Sequence, residues 1–145
     1  MPNSKQFSTA AINNHAELVE FLVGVAGEQV DRPDRTGATA LLLAARHGSP
    51  AAMAALLRAG ANLTALDKED RSALFWAAKE DQTECVQLLL SQPAAAPLLA
   101  ANDRWDATAL HAASEAGSWP AALALLQAGA QIDNKNEVSR GQLQF

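Results

Sequence analysis

Apolar residues come in short paired runs along this chain, and the pairs recur. Residues 40–46 form one apolar run, residues 50–58 a second, and Gly48 breaks the chain between them. The same pair returns after Ser72 and after Thr108, and a less marked copy starts at Phe7. Each run has the length of two or three helical turns. Alanine is abundant and tyrosine absent, a bias toward helix over strand. The pattern therefore predicts an all-α chain of short helix pairs.

The polar segments between pairs repeat as well. Asp34-Arg-Thr-Gly-Ala-Thr-Ala-Leu aligns with Asp67-Lys-Glu-Asp-Arg-Ser-Ala-Leu 33 residues later, and with Asp103-Arg-Trp-Asp-Ala-Thr-Ala-Leu 36 residues after that. A period in this range marks a repeat architecture, in which each unit buries its apolar face only against its neighbours. The longer spacing has room in Pro93-Ala-Ala-Ala-Pro97, read as a semi-rigid surface bulge.

Each unit reads alike. An Asp opens a polar turn, and Thr39, Ser72 or Thr108 then supplies a hydroxyl to cap the first helix. Gly48, Asp81 or Gly117 ends that helix at a point suited to a left-handed residue. Pro50 and Pro120 fall in the first turn of the second helix, where a missing N–H costs nothing. Glu17 and Glu84 suit the dipole of the same turn. Gly60 or Gly129 closes the unit, and Gly24 with Gly27 reads as another helix end.

These residues resemble the ankyrin repeat, whose signature runs Thr-Pro-Leu-His, Ala-Ala, Gly, Leu-Leu, Gly-Ala. Here it stands as Thr39-Ala-Leu-Leu, Ser72-Ala-Leu-Phe and Thr108-Ala-Leu-His111, and the resemblance covers residues 5 to 135. The tetratricopeptide repeat has a near period, but its Trp/Leu-Gly/Tyr pattern and its lack of an Asp-led turn do not match. The resemblance implies an ankyrin-repeat solenoid of about four repeats, with units 1–33, 34–66, 67–102 and 103–135. The first unit lacks its turn, as an N-terminal cap would, and residues 136–145 read as a partial fifth unit or C-terminal cap. Ala40, Ala73 and Ala109 replace the family's proline. Asp70 and Asp106 replace its turn glycine. Only His111 keeps the histidine that, in the family, bonds backbone between neighbouring turns. A thinner turn network and modest stability are expected.

Charge narrows the function. The net charge of −5 argues against a phosphate-backbone binder, so no nucleic-acid partner is expected. The single cysteine, Cys85, allows no internal disulfide and fits a reducing compartment. No signal peptide or membrane-length apolar run is read in the sequence; the ankyrin resemblance implies a cytoplasmic or nuclear protein, and a monomer is expected. His15, His47 and His111 share no ligand spacing with one another or with Cys85. Cys85 reads as a small core hydrophobe. Paired acids such as Glu69-Asp70 and Glu80-Asp81 read as solvated turns. No catalytic group, metal or cofactor is expected.

In ankyrin-like arrays the turn tips and inner helices form a concave groove. Carried over onto matching positions, its contact residues here are Arg35 and Thr36, then Lys68, Glu69 and Arg71, then Arg104 and Trp105. The inner helices add Arg46, His47, Lys79, Glu80 and Glu115. Arg35, Arg46, Lys68, Arg71, Lys79 and Arg104 are six of the eleven Lys and Arg residues, so the groove is expected to favour an acidic partner segment. Trp105, at a turn tip, is the expected anchor. Trp76 and Trp119 are expected to pack between units, with an edge of Trp76 lining the groove as the other reading. The function implied is a protein–protein interaction module. An inhibitor or immunity-type protein that blocks an enzyme, and one segment of a larger receptor, channel or scaffold, are the other readings.

Overall fold

The computed structural model describes residues 4–26 and 30–129, and among them there are only helices, turns and loops. The helices are α1 (Ser4–Ile12), α2 (Ala16–Ala26), α3 (Ala40–His47), α4 (Pro50–Arg58), α5 (Ala73–Lys79), α6 (Thr83–Leu90), α7 (Ala96–Ala100), α8 (Ala109–Ala116) and α9 (Trp119–Gln127). Inner helices α1, α3, α5 and α8 stack in a row, as do outer helices α2, α4, α6 and α9. The result is the stacked helix-pair solenoid expected of the repeat.

The caps explain why the helices start where they do. Thr39 Oγ1 accepts from Leu42 N at 3.4 Å, Ser72 Oγ from Phe75 N at 3.2 Å and Thr108 Oγ1 from His111 N at 3.3 Å. Each bond satisfies an N–H that the helix itself leaves without a partner. Gly48 and Gly117 then turn the chain at φ +71° and +73°. Asp81 and Asn14 do the same in their units at φ +59°, and short polar side chains tolerate that region best.

Alanine sets the close stacking. Ala44, Ala45, Ala77, Ala78 and Ala113 are fully buried where inner helices meet, and Leu41, Leu56, Leu74, Leu89 and Leu125 fill the space behind them. A larger side chain at an alanine seam would force the helices apart, at a cost of roughly 1–3 kcal/mol.

Three expectations need correction. The segment from Pro93 to Pro97 is more than a bulge. It leads into α7, with Pro97 in the helix's first turn, and Leu98 is buried against α8. Proline at that position leaves no backbone bond unmade. Gly24 lies within α2 and ends no helix, while Gly27 lies outside the described residues. Trp119 does not pack between units, being 61% exposed. The buried face of α9 runs through Ser118, Ala121, Ala122 and Leu125, and Trp119 falls about 100° round the helix from Ser118. The partial fifth unit at 136–145 also lies outside the described residues.

Candidate partner-binding groove

Each turn is organised by its leading aspartate. Asp34 Oδ1 accepts from Thr36 N at 2.8 Å and Ala38 N at 3.0 Å. Asp67 does the same with Glu69 and Arg71 at 2.8 and 3.1 Å, and Asp103 with Trp105 and Ala107 at 2.9 Å each. Such side-chain bonds fix a turn from within. Asp34 shows the electrostatic result. Partial burial pushes its carboxyl upward, but the Thr36 hydroxyl, the Thr36 and Ala38 amides and nearby Lys68 outweigh this and hold it below its ordinary 3.8.

Neighbouring turns are then joined by backbone. Lys68 N donates to Thr36 O at 3.2 Å, and Arg104 N donates to Glu69 O at 3.1 Å. Gly37 permits the first of these bonds. Its φ is +83°, and a Cβ there would sit 2.8 Å from Lys68 N. Asp70 and Asp106 occupy the same left-handed position at φ +63° and +66°. His111 does not supply a link between turns among the described residues. Thr108 N–H donates to its Nδ1 at 3.2 Å, which closes a capping box on α8 and leaves the ring proton on Nε2. That Nε2 meets no partner among the described residues.

The turn tips and inner helices do enclose common space. A depression of about 400 Å³ is lined by Thr36, Ala38, Leu42, Leu43, Arg46, Asp67, Lys68, Glu69 and Trp76. A wider one of about 890 Å³ adjoins it through Thr36 and Leu43 and is lined by Lys5, Ser8, Thr9, Ile12 and Arg35, among others. The fold therefore brings together Arg35, Thr36, Arg46, Lys68 and Glu69. His47 and Lys79, exposed at the ends of α3 and α5, line neither depression, and nor do Glu80 and Glu115. The α1 residues were missed by sequence reasoning. The signal was available, because aligning Asn14 with Gly48 places Thr9 over Leu43.

Arg71 and Trp105 form a second cluster. The Arg71 side chain is only 18% exposed; its Nε donates to Asp103 Oδ2 at 3.2 Å and its Nη1 to Glu69 Oε1 at 3.4 Å. Its guanidinium carbon lies 4.8 Å from the Phe75 ring centre, 5.2 Å from Trp76 and 5.3 Å from Trp105. So Arg71 is packed and paired within the chain, and it holds the second turn (67–71) to the third (103–107). Trp105 remains 57% exposed, with Arg104 5.7 Å from its ring centre and the Arg104 Nη2 anchored on Lys68 O at 2.8 Å.

Trp76 is buried, as expected, and is also part of the groove floor. Its Nε1 donates to Asp67 Oδ2 at 2.8 Å, and the exposed Arg46 guanidinium stacks over it at 4.5 Å. Stacked cations of this kind contribute about 0.5–2 kcal/mol, depending on exposure. Cys85 stays out of this chemistry: burial pushes its thiol up to about 11, so it is protonated at neutral pH. Among the described residues no group of His, Cys, Asp and Glu is placed to hold a metal. No described helix is long and apolar enough to cross a membrane.

Stacked helix pairs, Asp-led turns bonded tip to tip, and a groove lined by both define a repeat protein of the ankyrin class. The comparisons agree. The family described as ankyrin repeats in three copies matches residues 7–101 and 66–136. The chain belongs to the ankyrin-repeat family. It is 36% identical over 125 residues to the Ankyrin repeat and KH domain-containing protein mask-1 of Caenorhabditis elegans, a match covering 83% of this chain and 4% of that protein. It is 35% identical over 82 residues to the Nuclear factor NF-kappa-B p105 subunit of Mus musculus, covering 57% of this chain and 8% of that protein. The chain thus spans less than a tenth of either relative's length. Ankyrin repeats are generally protein–protein interaction modules.

Proposed function

We propose that this chain binds a partner protein along the groove of turn tips and inner helices, with Trp105 as the anchor. The observation that carries this reading is Trp105 itself: a large aromatic, mostly exposed at a turn tip, with the guanidinium groups of Arg71 and Arg104 at 5.3 and 5.7 Å from its ring centre. Exposing a tryptophan has no packing benefit, and braced aromatics beside arginines are the residues most often found to dominate interfaces. The depressions beside α1 and α3 then receive smaller apolar groups of the partner.

An acidic partner segment fits best. Arg35, Arg46 and Lys68 are exposed on the groove and Lys79 at its edge, while Arg71 is already committed to Asp103 and Glu69. Such surface cations act mainly on encounter rate and orientation. The test is affinity capture from native lysate, followed by titration of the captured protein. The Trp105→Ala/Arg104→Ala double variant should bind at least about tenfold more weakly, which is 1.4 kcal/mol. Unchanged affinity would remove the site assignment.

A further inference from the structure

The open depression beside the second turn is lined by two acids and two cations, and only the cations are left free. Both carboxylates are engaged inside the chain. Asp67 Oδ1 accepts the amides of its own turn and Oδ2 the Trp76 indole, while Glu69 Oε1 accepts from Arg71 Nη1 at 3.4 Å. Among the described residues the Arg46 guanidinium makes no hydrogen bond or ion pair. Lys68 forms no ion pair there either, and its charge reaches Asp34 only through space.

Arg46 is nonetheless held in place. Its carbonyl, in the last turn of α3, accepts from Gln82 Nε2 at 3.3 Å, and its guanidinium lies over the Trp76 ring at 4.5 Å. That ring is itself fixed, by burial and by its bond to Asp67. A cation in the last turn of a helix can serve the terminal carbonyls. This guanidinium donates to none of them and sits on the ring instead. The pairing is particular to this seam. The register places Lys79 and Ala112 at the same positions one unit on, where alanine offers no ring to hold the cation.

A planar guanidinium kept on an aromatic ring presents its edge donors as a fixed fork, which matches a carboxylate through two parallel hydrogen bonds. Apolar surface lies beside the fork. Ala38, Leu42 and Leu43 line the same depression of about 400 Å³, a volume within the range of small-ligand pockets, about 300–1,000 Å³. We infer that Arg46 is a carboxylate receptor: it takes a Glu or Asp side chain of the partner in a bidentate pair, and the apolar residue next to that acid enters the depression. This rests on the groove reading and adds to it a residue type at one seam. Surface cations in general answer to charge alone, whereas this site requires the fork.

Two-dimensional NMR of the isotope-labelled full chain tests it. The probe is the capped tripeptide acetyl-Leu-Glu-Leu-amide, and the Arg46 Nε–H and Trp76 Nε1–H signals are the readouts. Both signals should move saturably at millimolar peptide. The counterpart with Gln in place of Glu should bind at least about tenfold more weakly. Arg46→Lys keeps the charge and loses the fork. It should also bind at least about tenfold more weakly, read from Trp76, with a urea midpoint near that of wild type showing that it folds. Trp105→Ala should bind the peptide as wild type does. Unmoved Arg46 and Trp76 signals, equal binding of the Gln peptide, full retention in Arg46→Lys or loss in Trp105→Ala would each overturn the assignment. So would inorganic phosphate binding more tightly than the Glu peptide, which would assign the site to a phosphorylated group. The groove reading fails separately, on titration of the captured protein with the Trp105→Ala/Arg104→Ala variant.

Discussion

Two seams between neighbouring turns share one backbone bond and differ in what fills the space beside it. At the first, Ala38 precedes the cap of α3 and leaves the depression of about 400 Å³ open. At the second, Arg71 stands at the corresponding position and occupies the space. The aspartates show the same division. Asp67 Oδ2 is taken by the indole of Trp76 from its own unit, whereas Asp103 Oδ2 is taken by the guanidinium of Arg71 from the preceding one. A single register position, alanine in one unit and arginine in the next, thus separates an open seam from one that is filled.

Removing the lock should have the largest effect. The Asp103 side chain is only 1% exposed, so Arg71→Ala strands a buried carboxylate and should cost about 3 kcal/mol in urea unfolding. In a double-mutant cycle with Asp103→Ala, which also removes the turn bonds to Trp105 N and Ala107 N, the combined loss should fall well short of the sum of the single losses, and additive losses would show that the two side chains act separately. Gly37→Ala attacks the open seam. With φ at +83° and a Cβ only 2.8 Å from Lys68 N, it should lose about 1–2 kcal/mol by the same measurement. Asp70→Gly, at the matching position of the next turn, should instead gain a few tenths to 1 kcal/mol, because its φ of +63° suits glycine. Ala38→Arg should fill the depression and lower partner affinity while leaving the urea midpoint within about 0.5 kcal/mol of wild type.

The smallest effect is the pH dependence carried by Asp34. Its folded pKa lies below 3.8, so its contribution is present at and above ordinary Asp values and fades as pH falls through the folded pKa. Asp34→Asn should flatten the acid limb of stability against pH below about 4. An unchanged limb would show that the turn bonds do not depend on the carboxylate's charge.

Much of the fold was legible because period, caps and helix breakers are local signals. Thr39, Ser72 and Thr108 needed only their place ahead of an apolar run. Asp81 was readable because Gly48 and Gly117 hold the same position. α7 was not legible, since Pro93-Ala-Ala-Ala-Pro97 looks like a loop until Leu98 is seen to have a place to be buried. In the groove, Trp105 could be placed at a tip from its distance to Asp103. The commitment of Arg71 could not, because it depends on which carboxylate oxygen remains free after the turn has formed. Trp119 shows the same limit, since a side chain's exposure depends on what the neighbouring unit presents to it.

The 36-residue spacing leads from here to the spacing of the tips. The additional residues are absorbed on the way from α6 to the third turn, and Arg104 N still meets Glu69 O at 3.1 Å, as close as Lys68 N meets Thr36 O. Chain length and tip spacing are therefore uncoupled at α7. Length added behind the tips, folded as α7 with Leu98 in the core, is thus compatible with an unbroken row of tips in front.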